Sequence, residues 1–529
     1  MPNSHPNPAA SATEREPLLS GSRRAPIKSP GRLMPGAAAI SNSLLGAGPA
    51  GISAAQYLRN SPTARYVRFN ITIYESKPVL GGALALHDTN GSSIFPKDDP
   101  MQSPITAEDI SGTALMWNSP LFTQDSGKAL KEKAEFIELG PEQIGYYQNG
   151  LKTASASRPY RKTPMAMWAQ LLWTYGNSVW RGNELAQNGA LRKEILKVPL
   201  EPDVERIFKS LGVLKPLKQS AKDLLRHRRI SERYATDLLA PQVQRAYGQD
   251  LNNVTGLAAM MAAAQEEAAN AYSGGHLLQQ LQRVVHDIDI DVRTATRVTE
   301  LKFVEIDEKR PAWLVRHENA DGSGGNSSIE MFDKVIMAAL DLDVQLQNGD
   351  KPILDLRTHY NVNANASNAT AQEEDPIVPV HITFFTSDAR LSPWDDEQAL
   401  FLEPQELTGM RELTLLRKIR NYQDNSTDAE YLYRVLSERP VLDEMQSRTN
   451  ITWSYHTKIE KAYPILSPLE RFPSFEIPWA KGFWWTSVIQ RAGTSVDLNW
   501  LAGKVAAQAL ISQVTRSAYF WGEPFTTGP

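Results

Sequence analysis

The strongest constraint on how this chain can fold lies near its start. Gly46-Ala47-Gly48-Pro49-Ala50-Gly51 is answered by Glu75 at the end of Ile71-Thr72-Ile73-Tyr74-Glu75. Three glycines at that spacing suit a strand that turns sharply into a helix. Gly46 makes the turn, Gly48 lets the backbone approach a pyrophosphate, and Gly51 lets the helix pack close to the sheet. Ala50 stands at the helix N-terminus, where unpaired N–H groups and the positive dipole end favour phosphate. Glu75 falls where a carboxylate accepts ribose hydroxyls, which favours a nucleotide with a free 2′-OH. Alone, the pattern also fits a glycine-rich loop, so its neighbours carry the reading. Ile52, Ala55 and Leu58 continue as an apolar helical face. Val67, Phe69, Ile71 and Ile73 alternate as a strand, and Gly81-Gly82 follows. One feature runs against it: the strand before Gly46 contains Ser41-Asn42-Ser43, a polar run for a buried central strand.

At 529 residues the chain is long enough for two or three domains or one large interleaved fold. A net charge of -4 and a pI of about 6.2 give no nucleic-acid footprint. The absence of cysteine excludes disulfides, thiolate metal sites and a cysteine nucleophile. No two of the 9 histidines have zinc-helix spacing, so no metal site is expected. HExxH, GxSxG and GxxxxGK patterns are missing. No apolar run reaches the roughly 18 residues a membrane helix needs, which leaves peripheral membrane association open. Residues 1–36 are rich in Pro, Ser, Ala and Arg and read as a disordered tail without an apolar leader segment. Within that tail, Glu14 to Leu19 resembles an acidic dileucine sorting signal, and equally a solvated run. Asn-x-Ser/Thr sequons stand at Asn70, Asn90, Asn253, Asn326, Asn365, Asn368, Asn425 and Asn450, a hint of glycosylation.

The pattern along the chain predicts strand, helix, strand over 37–90, irregular sequence over 100–160, and helices over 161–290. One helix is predicted from Met165 to Arg181, with Trp168, Leu172, Tyr175 and Val179 on one face. Strands follow at Val292–Ile306, Ala312–Glu318 and Ile329–Ala339, the last of an apolar type that rejoins a nucleotide-binding sheet. Further strands are predicted at Ile377–Thr386, Ala399–Leu402 and Phe483–Ile489, with helices at Asp428–Glu438 and from about Val496 to Val514. The fold class is therefore α/β, with a discontinuous Rossmann-type nucleotide domain of 37–90, 290–345 and 480–515. A mixed α+β domain of 91–289 and 346–479 is inserted into it.

Several blocks resemble the prenylcysteine oxidase, or prenylcysteine lyase, family. They are Ala240 to Gln249 (Ala-Pro-Gln-Val-Gln-Arg-Ala-Tyr-Gly-Gln) with Asp250-Leu251-Asn252, Ser273-Gly274-Gly275-His276-Leu277, and Asn70 to Glu75 with Gly81-Gly82. Phe332 to Ala338, Val380 to Thr386, Ala462-Tyr463-Pro464, Phe472 to Phe475 and Leu501 to Ala506 follow in the same order, so the likeness spans roughly residues 44–512. The resemblance implies a glutathione-reductase-like FAD domain, noncovalent FAD, and a prenylcysteine-lyase-like substrate domain. It also implies thioether oxidation: a hydride passes from the carbon beside sulfur to flavin N5, water attacks that carbon, and cysteine and a prenyl aldehyde separate. O2 then reoxidises the flavin to hydrogen peroxide. A lysosomal, vacuolar or other secretory-pathway lumen is implied as the location. Two departures stand out. Ala83 follows the glycine pair where the family often has Arg, and the acidic residues before the last helix are Asp497 and Asn499, only one of them charged.

Gly46, Gly48, Ala50, Gly51, Glu75, Gly81 and Gly82 are the expected FAD contacts. Val298 lies where related flavin folds bring backbone to the adenine, and is otherwise a plain sheet residue. Thr494, Ser495 and Val496 open the last helix and either face the diphosphate or flavin or simply cap it. Arg245, Tyr247 and Gln249 either bind the substrate or form a buried bridge between helices. Tyr247, His276 and His381 are acid/base candidates, although flavin chemistry itself needs little such help. Trp168, Trp173, Tyr175, Trp484 and Trp485 either line a lipophilic tunnel, Trp484 then touching substrate, or pack the core. Expected partners are a hydrophobic small molecule and O2. The rival activity is an FAD oxidase or dehydrogenase of a lipophilic metabolite such as a terpenoid or polyketide, and the rival class is a non-catalytic flavin-fold binding protein.

Overall fold

The computed structural model describes residues 38–82, 120–130, 136–138, 142–148, 151–158, 163–191, 194–264, 270–272, 277–288, 290–306, 310–320, 327–340, 344–348, 351–352, 377–391, 399–402, 409–420, 429–477 and 480–520. Five parallel strands that are far apart in sequence form one sheet: β1 (Ala38–Leu45), β2 (Val67–Tyr74), β3 (Asp291–Arg293), β4 (Lys334–Met337) and β5 (Phe483–Trp485). Their spatial order is β5-β4-β1-β2-β3, with Leu44 opposite both Ile73 and Ile336. The main helices are α1 (Pro49–Asn60), α2 (Pro120–Leu130), α3 (Met165–Tyr175), α4 (Ser178–Gly189), α5 (Ala240–Tyr247), α6 (Gly256–Ala264), α7 (Leu277–Asp287) and α8 (Val496–Phe520).

The polar run in β1 is accommodated in part by specific partners, while Asn42 Oδ1 and Ser43 Oγ stay buried without one. Ser41 donates from its backbone N–H and its hydroxyl to Asp333 Oδ2, both at 2.8 Å. Asp333 N–H returns a bond to Ser41 Oγ at 3.1 Å. Asn42 Nδ2 donates to the Ile40 carbonyl at 2.9 Å. The polar run thus ties β1 to the residue just before β4, while Leu44 and Leu45 supply the buried end of the strand.

Helices α1 and α8 cross closely. A side chain at Gly503 would place its Cβ 2.1 Å from the Ala50 carbonyl oxygen, so only glycine permits this approach. Ser53 Oγ donates to the Trp500 carbonyl at 2.6 Å across the same crossing. Asp497, in the first turn of α8, accepts the Leu121 and Phe122 N–H groups at 3.1 and 3.0 Å and so caps α2. Asp125, one turn further along α2, pairs with Lys504 at 2.7 Å.

A second five-stranded sheet, in the order 328–332, 310–319, 296–306, 345–348, 351–352, flanks the nucleotide sheet. A seven-stranded sheet carries the inserted region, in the order 451–464, 377–387, 429–437, 410–420, 399–402, 142–148, 151–158. Helices α3 to α6 pack around it. Helix α6, Gly-Leu-Ala-Ala-Met-Met-Ala-Ala-Ala, is buried along its whole length.

Four local expectations are corrected. Asp428–Glu438 is not a helix: 429–437 is a strand between 377–387 and 410–420, because Tyr431, Tyr433 and Val435 find cross-strand partners that outweigh helix propensity. The region 100–160 is not wholly irregular, since α2 and the strands 136–138, 142–148 and 151–158 lie in it. The helix predicted from Met165 to Arg181 breaks at Gly176, whose φ of 56° ends α3. The strand from Phe483 stops at Trp485 and continues as a 3-10 turn to Arg491.

Burial pushes the Asp497 carboxyl up to about 7, against the pull of the two N–H groups it accepts. Between the ordinary carboxylate pKa of about 3.9 and about 7, the folded state keeps a proton that the unfolded chain has released. Stability therefore falls as pH rises through that window. The melting temperature is expected to drop from about pH 5 to about pH 7, and the drop should be shallower in Asp497→Asn. Equal slopes in the two proteins would contradict this.

Candidate nucleotide and substrate site

The Gly46–Gly51 turn is built as its spacing requires. Gly46 has φ 105°, and its N–H donates to the Tyr74 carbonyl at 2.8 Å. A Cβ at Gly51 would lie 2.0 Å from the Gly46 carbonyl oxygen, so α1 can start here only with glycine. At Gly48 the contrast is informative: a Cβ would find nothing nearer than Gly82 Cα at 3.8 Å. The backbone at Gly48 therefore lies in ordinary contact with the Gly81-Gly82 pair, which brings the two glycine turns together. Helix α1 has Gly48 as its N-cap with no side-chain cap, and Pro49 lacks an N–H. The N–H groups of Ala50 and Gly51, in the first turn, have no intrahelical acceptor, as a phosphate site needs.

Glu75 closes the turn from below. It is buried, and Oε2 accepts the Ala47 N–H at 2.8 Å while Oε1 accepts the Lys77 N–H at 3.0 Å. Oε1 also accepts the Ser76 hydroxyl at 3.5 Å; a carboxylate has about four acceptor positions, so Oε2 keeps one for a ribose hydroxyl. The Gly81 N–H donates to the Ala47 carbonyl at 3.0 Å, which straps the second glycine pair to the first turn. Lys77 Nζ donates to the Gly82 carbonyl at 2.8 Å, and burial pulls its pKa down. Ala83 lies outside the described residues. Lys77 therefore brings a cation to the glycine pair from the upstream side; it was overlooked because no spacing rule marks a lysine two residues after the ribose carboxylate.

Beside Glu75 lies a polar cluster. The Tyr74 ring packs on His317 at 4.9 Å, and Arg293 donates to Tyr74 Oη at 3.3 Å while pairing with Glu330. Thr296 N–H donates to the Glu75 carbonyl at 2.9 Å. Val298, two residues on, is buried opposite His317, and a bulge between Val298 and Glu300 interrupts the ladder there. Val298 thus sits at the one break in the strand nearest Glu75.

At the start of α8, Ser495 Oγ accepts the Leu498 N–H at 3.1 Å, so Ser495 is the cap. Thr494 Oγ1 is buried without a hydrogen-bond partner, an orphan that a bound group would satisfy. Val496 follows in the first turn, 5% exposed. Taken together, the uncapped N-terminus of α1, the acceptor position left on Glu75 Oε2 and the orphan Thr494 fit a dinucleotide running from α1 to α8.

The remaining candidates separate clearly. Arg245 Nε donates to Glu412 Oε2 at 2.7 Å, and Arg434 also pairs with Glu412. Burial would raise the Glu412 pKa, but the two guanidiniums outweigh it and hold it well below the usual range. Arg245 is thus a buried bridge, from α5 to a strand rather than between two helices. Gln249 spends its amide on the Pro464 carbonyl at 2.9 Å and the Leu466 N–H at 2.8 Å, which locks the end of α5 to the segment after 451–464. His381 Nδ1 lies 2.9 Å from His456 Nε2, and burial and His456 push its pKa down, which disfavours its charged form. His276 lies outside the described residues.

Among the aromatics, Trp484 belongs to a buried apolar cluster with Leu44, Ile336, Ala506 and Leu510, which corrects its assignment to substrate. Trp485 donates to the Ala339 carbonyl at 3.0 Å from within the core. Trp173 lines no tunnel: it is 93% exposed. Tyr247 is fully buried, its Oη has no partner, and its ring meets Tyr463 edge-on at 6.1 Å. Burial pushes the Tyr247 pKa up, so the phenol keeps its proton and can offer it in a hydrogen bond.

Sequence pattern missed Arg411. It is 3% exposed and bonded only weakly to Glu438, at 3.3 Å, while Nε and Nη1 have no partner. It packs against Gly248 and influences Tyr463. Arg491, three residues before Thr494, donates to the carbonyl of Ile465, two residues past Tyr463, at 2.7 Å, which ties the two segments together.

Replacing Lys77 by methionine removes a cation bonded beside the glycine pair. Flavin dissociation constants should rise roughly tenfold or more, the worth of one charge-assisted bond, as measured by fluorescence titration of the apoprotein. Unchanged affinity would remove Lys77 from the site.

Comparison with known proteins agrees with this geometry. The family model for prenylcysteine lyase matches residues 162–519, and that for an NAD(P)-binding Rossmann-like domain matches residues 45–102. In fold the chain is similar to cyclohexylamine oxidase from Brevibacterium oxydans IH-35A, with a TM-score of 0.53, 15% identity, and coverage of 90% of this chain and 100% of that one. A triple mutant of putrescine oxidase gives a TM-score of 0.52 at 14% identity, covering 90% and 99%. No curated protein matches in sequence. The Rossmann turn joined to a prenylcysteine-lyase region over most of its length places this chain in the prenylcysteine lyase family of flavin-dependent oxidoreductases.

Proposed function

We propose that the protein is an FAD-dependent thioether oxidase that cleaves farnesyl- or geranylgeranyl-cysteine, with water and O2, to a prenyl aldehyde, free cysteine and hydrogen peroxide. The observation that carries this reading is the Gly46–Gly51 turn closed on Glu75 in a chain whose residues 162–519 match the prenylcysteine lyase family. FAD would be held by the N–H groups opening α1, by Glu75, by the backbone at Val298 and by the start of α8. Bound there, it supplies a two-electron acceptor that O2 can regenerate. The scissile carbon needs no strong base, because sulfur and the allylic double bond share the charge that develops on it. The chain's own task is then to orient the thioether and exclude water until the carbon is activated.

Tyr247 and Arg411 complete the proposal. Their buried, unpartnered donors suit the carboxylate of the cysteine part of the substrate, and a guanidinium recognises a carboxylate through its fork of N–H groups. Tyr247 stays protonated and can only donate to that group. We place the enzyme in a lysosomal, vacuolar or other secretory-pathway lumen. Asn70, Asn253 and Asn450, the sequons among the described residues, are all exposed.

Incubation with farnesylcysteine in air should release peroxide and free cysteine in equal amounts. Turnover of a different lipophilic metabolite, with none of farnesylcysteine, would favour the rival oxidase reading. Arg411→Lys should raise the KM for farnesylcysteine by about tenfold or more, as loss of a charged hydrogen bond does, and leave S-farnesylcysteamine, which lacks the carboxylate, unaffected. An equal change for both substrates would assign Arg411 to packing alone.

A further inference from the structure

We propose that α3 and the adjoining face of α4 form an interfacial anchor that seats the protein on an anionic lipid surface. From Met165 to Tyr175 the helix reads Met-Ala-Met-Trp-Ala-Gln-Leu-Leu-Trp-Thr-Tyr, with no charged residue. One face is used for folding: Leu171 and Tyr175 are buried, and Trp168 and Leu172 are half-buried. Its opposite face should be polar if it met only water. Instead it presents Met165 at 86% exposure and Trp173 at 93%. Trp168 stacks on Trp180 of α4 at 5.2 Å, which brings Trp180, 56% exposed, onto the same surface. Tyr175 Oη contacts the Thr153 carbonyl at 3.4 Å, two residues from Leu151, itself 71% exposed. Grouped apolar side chains of this size, uncovered, mark an interaction surface rather than ordinary scatter.

The rim identifies the partner. Arg181, next to Trp180, donates to the Arg229 carbonyl at 2.6 Å, so the run Arg226-His227-Arg228-Arg229 borders the aromatic face. Arg233 lies over the Tyr175 ring at 5.8 Å. Of the nearby carboxylates, Glu184 pairs with Arg228, Asp223 with Arg226, and Asp237 with Arg233 and Tyr175, while Glu232 is exposed beside Arg233. Arg181 and Arg229 face no carboxylate among the described residues. A local excess of arginine on a chain of net charge -4, edging tryptophan and methionine, is the chemistry of a bilayer interface with anionic headgroups. It does not suit an apolar protein groove, which would leave those arginines unpaired. An anchor here would serve any substrate that partitions into lipid.

Flotation of the full chain with phosphatidylcholine vesicles, with and without phosphatidylserine, tests this. The protein should float with the serine-containing vesicles, less so as salt rises. Met165→Ser with Trp173→Ser should lower partition by at least about tenfold, with an unchanged melting temperature because both side chains are already in water. Arg181→Glu with Arg229→Glu should abolish the preference for phosphatidylserine. Wild-type protein that never floats, or a Met165/Trp173 variant that floats as well as wild type, would overturn the proposal. So would a concentration-dependent dimer that these same substitutions dissolve, since the face would then belong to a second copy.

Discussion

The carboxylate of Glu75 is the contact on which the rest of the nucleotide fold depends. One oxygen holds the Ala47 N–H of the glycine turn and the other holds the Lys77 N–H of the segment leading to Gly81-Gly82. Its backbone carbonyl and N–H are bonded to Thr296 and Arg293, the return of the chain after an excursion of some 200 residues. One buried residue therefore fixes the first βαβ unit, the second glycine pair and the flanking sheet relative to one another. A ribose would meet a group already held in place by backbone donors, which reduces the ordering cost of binding.

The inserted region rests on a different kind of contact. Glu412 is buried between Arg245 of α5 and Arg434 of the seven-stranded sheet. Such a network adds little net stability, but removing one member would leave an unpaired buried charge, so it fixes geometry. It sets the end of α5, where Tyr247 stands, and Gln249 then locks that end to the segment running toward Arg491 and Thr494. Gln249 and Arg491 thus grip the same short segment, 464–466, from two sides of the fold.

The cofactor half was legible in the sequence because its constraints are local. Gly46, Gly51 and Glu75 lie within one βαβ unit, and their spacing is dictated by sterics that hold in any chain. Within the polar run Ser41-Asn42-Ser43, the partner of Ser41 is Asp333, 292 residues away and so invisible to local pattern. The same limit hid Arg411, whose role comes from Gly248 and Tyr463 in space rather than from any pattern around it. It also turned 429–437 into an expected helix, since a central strand with partners on both sides carries no clean alternation. Trp173 was misread for the converse reason: an apolar helix face looks the same in sequence whether it packs inward or faces out.

An absorption spectrum of the purified protein, before and after anaerobic addition of farnesylcysteine, tests the central claim most directly. Flavin bands that bleach on addition and return with air are the predicted result. A protein purified without flavin, and unable to take up FAD, would contradict the reading of the Glu75 turn. Bands that persist unbleached would contradict the substrate.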